Sequence, residues 1–161
     1  MKVGLLLALV IFLGDRLLKV FILNNFALGE VQSFIPGLVQ LTYVRNTGMA
    51  FGFLTNQQWI PLVLTPLILI GLAYLLFRKF FTCRWQQIAL LAVMAGGLAN
   101  WIDRLAYGYV VDMFELVFMR FAVFNIADIF VSLGGIGFLV AIFVSEMRRK
   151  KETATEETDN A

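Results

Sequence analysis

The 161-residue chain has no histidine and a single cysteine, Cys83. Without histidine, every His-dependent nucleophile scheme and every His-ligated metal site is excluded. One cysteine makes neither an intrachain disulfide nor a multi-cysteine metal centre. Serine is confined to Ser33, Ser132 and Ser145. Charge is scarce too: 15% of residues, against about 25% in an ordinary soluble domain. A net charge of +2 is too small and too scattered for a nucleic-acid surface. Any catalysis is therefore expected to rest on carboxylates.

What the chain has in quantity is apolar surface. Hydrophobic residues make up 60% of it and the mean hydropathy is +0.83, more than a soluble domain of this size can bury, so the bilayer is the expected solvent. Four stretches reach spanning length: residues 3–23, 60–77, 85–105 and 124–144. The first carries Asp15, Arg16 and Lys19 and no small-residue cleavage site, so it reads as a retained helix rather than a signal peptide. Lys2, Arg78, Lys79, Arg84 and Arg148 to Lys151 fall on one side of a four-span chain. By the positive-inside rule both termini are expected to be cytoplasmic. Residues 1–145 read as one membrane domain and 146–161 as a polar, disordered cytoplasmic tail. Of the outer segments, 24–58 and 107–123, the first contains a run rich in β-branched and aromatic residues, Leu38 to Arg45, followed by Asn46-Thr47-Gly48. That pattern predicts one or two short strands and a small sheet on the outer membrane surface. The fold class is thus an α-helical multi-pass membrane protein, four transmembrane helices with a small extracytoplasmic sheet.

Ionisable groups inside spans are costly and so become functional candidates. Asn100, Asp103 and Arg104 share a face at the outer end of span three; Asn125 and Asp128 open span four; Asp112 lies in the loop between them; Asp15 and Lys19 are one turn apart in span one. Intrahelical pairing explains Asp15 and Lys19 as readily as function does. Asp112 and Asp128 have apolar neighbours and no local cation, and they bracket one short loop. Two carboxylates sharing a site cannot both ionise cheaply, which supplies an acid and a base for activating water. A proton or ion pathway through a small transporter or proton-conducting subunit fits the spacing as well. Cys83 reads as apolar filler, Met49, Met94, Met113 and Met119 as packing, Trp59, Trp85 and Trp101 as interfacial anchors, and Gly134, Gly135 and Gly137 as points of close helix approach.

Five ordered motifs over residues 1–145 give the chain a resemblance to the lipoprotein signal peptidase (signal peptidase II) family of bacterial membrane aspartyl peptidases. They are Asp15-Arg-Leu-Leu-Lys19, Asn46-Thr-Gly-Met-Ala-Phe51, Asn100-Trp-Ile-Asp-Arg104, Val111-Asp112 and Phe124-Asn-Ile-Ala-Asp128. The resemblance implies four transmembrane helices with a small sheet and a short surface helix. It further implies Asp112 and Asp128 as the catalytic dyad, with Asn46, Gly48, Phe51, Asn100, Asp103, Arg104, Asn125, Asp15 and Lys19 binding substrate or supporting the site. The implied substrate is a prolipoprotein whose cysteine already carries a diacylglyceryl group, cut just before that cysteine. It also implies a bacterial inner-membrane location with the site near the extracytoplasmic face, inhibition by globomycin-type compounds and no cofactor or metal. A monomer contacting membrane lipid, with no nucleic-acid partner, is expected. The chain departs from the family pattern at Ala95 to Ala99 and at Ala122.

Overall fold

The computed structural model describes residues 1–48, 57 and 59–159. Their order is α1 (Lys2–Asn25), β1 (Val31–Ile35), β2 (Val39–Asn46), α2 (Trp59–Phe77), α3 (Arg84–Tyr107), β3 (Val110–Leu116) and α4 (Ile126–Asp159). Helices α2, α3 and α4 are long and apolar enough to cross a membrane. Helix α1 matches the first expected span in position and length but holds Asp15, Arg16 and Lys19 in its apolar run. The short surface helix has no counterpart among the described residues.

Helix α3 is the axis of the bundle: 44% of its apolar window is buried, against 6% for α2 and 11% for α4. Its small residues let neighbours in. A Cβ on Gly96 would lie 2.5 Å from the Ala127 carbonyl oxygen, so α4 crosses α3 at a point where only glycine fits. A Cβ on Gly134 would meet the Ala89 carbonyl oxygen at 2.9 Å, whereas one on Gly135 would meet no neighbouring helix within 4 Å. Ala92 and Ala95 pack with Ile11 of α1. Helix α2 is attached differently. Pro66 has no N–H to offer the carbonyl one turn back, that of Leu62, and Trp101 Nε1 of α3 donates to this oxygen at 2.8 Å. Trp101 is therefore a helix-docking residue rather than the interfacial anchor expected from composition. Trp59 and Trp85, 66% and 71% exposed, remain free to face an interface.

The outer segments build one antiparallel sheet in the order β1-β2-β3. The predicted strand region becomes β2. The second outer segment, expected as a loop, supplies β3, so Asp112 stands on a strand. Gly108, at φ 74°, ends α3 in a left-handed turn that feeds β3 directly. A bulge in β2 between Leu41 and Val44 shifts its register with β3 by one residue, pairing Val44 with Asp112 and Asn46 with Val110. Because side chains alternate, this slip turns Asn46 rather than Arg45 to the face of Asp112. Tyr43, on the opposite face, packs with Ile22, Phe26, Val111 and Met113.

Helix α4 corrects the expectation for the C-terminus. It continues as helix to Asp159, through the segment read from its polarity as a disordered tail. That segment contains no proline or glycine after Gly137, and nothing in its backbone chemistry stops a helix already nucleated.

Candidate active site

A cleft of about 680 Å³ opens where the sheet meets the ends of α3 and α4. Asp112, Asp128, Asn46, Gly48, Asn100 and Arg104 all line it. Its far wall is apolar and follows α4 through Ile129, Val131 and Leu133.

Each polar group is placed by an element end. Asn125 precedes α4 and Asp128 is its third residue. The Asp128 N–H donates to Asn125 Oδ1 at 2.9 Å and the Asn125 N–H donates to Asp128 Oδ2 at 3.2 Å, a reciprocal capping pair. The next free amide of the helix start, Ala127 N–H, donates to Asp15 Oδ1 at 2.9 Å. Asn125, fully buried, also donates through Nδ2 to Asp112 Oδ1 at 2.6 Å. One residue therefore touches both carboxylates. The other oxygen of each is held by a further amide: Asn46 Nδ2 donates to Asp112 Oδ2 at 2.8 Å, and Asn100 Nδ2 to Asp128 Oδ1 at 2.8 Å. Asn46 is itself fixed by the Gly48 N–H, and Arg104 donates to the Gly48 carbonyl at 3.1 Å.

Asp112 is 1% exposed. Burial first, and then the neighbouring charge of Asp128, push its carboxyl up to about 7, against the opposing pull of the Asn46 and Asn125 amides. One of the two acids thus keeps a proton close to neutrality.

Asp15, Lys19 and Asp103 lie behind the cleft and do not line it. Lys19 Nζ is 2.8 Å from Asp15 and 2.7 Å from Asp103. Asp103 also pairs with Arg16 and accepts the Val111 N–H at 3.3 Å. The Asp15–Lys19 pair is therefore not self-contained; it belongs to a cluster joining α1, α3, α4 and β3. Arg16 is the residue the sequence reading passed over. Its signal was present, a third charge inside an apolar run, but its partner 87 positions away was not visible. Phe51 lies outside the described residues. No grouping of three or more metal-ligating side chains occurs among the described residues.

The family model for signal peptidase (SPase) II matches residues 7–144. The lipoprotein signal peptidases of Streptococcus pyogenes serotype M2 (strain MGAS10270) and serotype M1 are each 44% identical to this chain over 132 residues, covering 82% of it and 87% of the relative. Two solved chains described as bacterial membrane enzyme structures superpose with TM-scores of 0.85 and 0.80, each at 30% identity. The first covers 91% of this chain and 90% of its own, the second 88% and 93%. A match that runs from the first helix to the last leaves no part of the domain unaccounted for: the chain belongs to the signal peptidase II family.

Proposed function

We propose that the chain is an aspartic endopeptidase that removes the signal peptide from diacylglyceryl-modified prolipoproteins, cutting just before the lipidated cysteine. The observation that carries this reading is the single residue Asn125 hydrogen-bonded to both Asp112 and Asp128, two carboxylates that line one mostly apolar cleft.

In this mechanism ionised Asp128 takes a proton from water, and the resulting hydroxide adds to the scissile carbonyl carbon. Protonated Asp112 donates a hydrogen bond to the carbonyl oxygen as negative charge develops there. The tetrahedral intermediate collapses with cleavage of the C–N bond, and a proton from the pair goes to the departing amine. No covalent enzyme intermediate is needed. Arg104 and the asparagine amides orient the substrate backbone and the carboxylates.

The substrate's position follows from its chemistry. Acyl chains on the cysteine hold the scissile bond at the bilayer boundary, and the apolar wall of Ile129, Val131 and Leu133 descends from the dyad to receive them. We place α1 as a span beside the other three: 24 residues at 1.5 Å each reach about 36 Å, and Asp15 faces α4 and Lys19 faces α3 rather than lipid. The basic residues then put both termini in the cytoplasm of a bacterium and the cleft near the extracytoplasmic face. A proton-conducting role needs polar groups along the whole membrane depth, and α2 has no acidic or basic residue.

The test is cleavage of a lipidated precursor by purified enzyme. Asp112→Asn and Asp128→Asn each lower kcat roughly 10²- to 10⁴-fold while the variants still unfold cooperatively, and globomycin inhibits the wild type. Near wild-type turnover by either folded variant refutes the dyad.

A further inference from the structure

We infer that Lys19 is a positioning residue for the hydrolysis: its buried ammonium fixes the Asn100 carboxamide so that the NH2 group, not the oxygen, faces Asp128. This rests on Asp128 being one of the catalytic pair. Lys19 is 1% exposed and does not line the cleft. Its Nζ donates to Asn100 Oδ1 at 2.8 Å. A lysine ammonium has donors and no acceptor, so only a carboxamide oxygen can face it. Asn125 Nδ2 donates to the same oxygen at 3.1 Å. With two donors on that oxygen, Asn100 Nδ2 is left pointing at Asp128 Oδ1, 2.8 Å away.

The opposite orientation would set NH2 against the ammonium and against the Asn125 NH2, and an oxygen lone pair against the Asp128 carboxylate. In a buried setting each of those contacts is costly. Lys19 therefore reaches the catalytic carboxylate through one amide.

Gluing helices together does not require this third contact. The cluster already balances two positive against two negative side chains, and Arg16 pairs with Asp103 from the same helix. The bond to Asn100 is the one that points toward the chemistry.

Lys19→Met alone would leave Asp15 without its partner inside the bundle, so the informative variant pairs it with Asp15→Asn. That combination keeps the cluster neutral and retains an oxygen for the Ala127 N–H. The reference is Asp15→Asn alone, assayed as full-length protein with lipidated precursor. The expected result is a kcat lower by roughly 10- to 100-fold, with KM within twofold and an unchanged melting temperature. In an Asn100→Leu background the same Lys19→Met change lowers kcat by less than twofold, because the amide it acts through is gone. A kcat within twofold of Asp15→Asn overturns the inference. So does an equal loss in both backgrounds, which marks an effect through the fold. If the wild type itself leaves the lipidated precursor uncut, it is the peptidase reading that fails, which keeps the two failures apart.

Discussion

Asp112 carries a charge problem that the proposed mechanism turns to use. Its carboxyl titrates at about 7 in the folded protein, against roughly 3.9 when unfolded. Between those values the native state binds the extra proton, so this residue's stabilisation is complete below pH 4 and is lost as pH rises through 7. Asp112→Asn should therefore raise stability by about 2–4 kcal/mol at pH 8.5 and leave it nearly unchanged at pH 4, as read by thermal unfolding in detergent at the two pH values. Under the proposed mechanism, turnover of the wild type should fall as pH climbs beyond about 7, because two ionised carboxylates would leave no acid for the carbonyl oxygen; an initial-rate profile with lipidated precursor reads this directly. At this scale the sequence was informative. Charged and amide side chains inside the expected spans are few, and most of them converge on the cleft or the cluster behind it. What it withheld was the pairing: neither the Arg16–Asp103 bridge nor the double duty of Asn125 can be read from spacing, since both depend on helices meeting in space.

At the scale of elements, the site depends on how closely α4 approaches α3. Gly96→Ala places a methyl 2.5 Å from the Ala127 carbonyl, and the amide of Ala127 is tied to Asp15 beside Asp128. The variant should lose about 1–3 kcal/mol and much of its activity, whereas Gly14→Ala, with nothing within 4 Å, should be neutral or gain up to about 1 kcal/mol. Melting curves and turnover measured in parallel decide it. Trp101→Phe removes the donor to Leu62 and should cost roughly 1 kcal/mol. Pro66→Ala in that background restores the helix's own N–H to the same carbonyl and should recover part of the loss; a double-mutant cycle of unfolding free energies is the measurement. Helix positions were legible because a span needs a fixed apolar length, and α1 to α3 begin and end within two residues of expectation. Strand β3 was not, because Asp112 and Glu115 break its apolar residues three positions apart, without the strict alternation that marks a half-buried strand. Nor was the bulge in β2, which no residue type announces and which decides that Asn46 faces Asp112.

Across the whole molecule, one central helix organises three others, and the polar groups gather at one end of it. Length and hydropathy were enough to anticipate the helices and the gathering of polar groups at one depth. They were silent on the order of packing, which small residues such as Gly96 and Gly134 determine through contact rather than through pattern. They also misread the C-terminus, where polarity suggested disorder but α4 runs to Asp159. The carbonyl of Leu62 has a consequence for biogenesis. In chain order α2 enters the bilayer before α3 exists, and Pro66 leaves that oxygen without a partner among lipid tails. The indole of Trp101 relieves it at one depth and one rotation only. During synthesis, then, a helix that carries no chemistry arrives with a built-in address, and the domain's assembly is guided to a single register before any substrate is met.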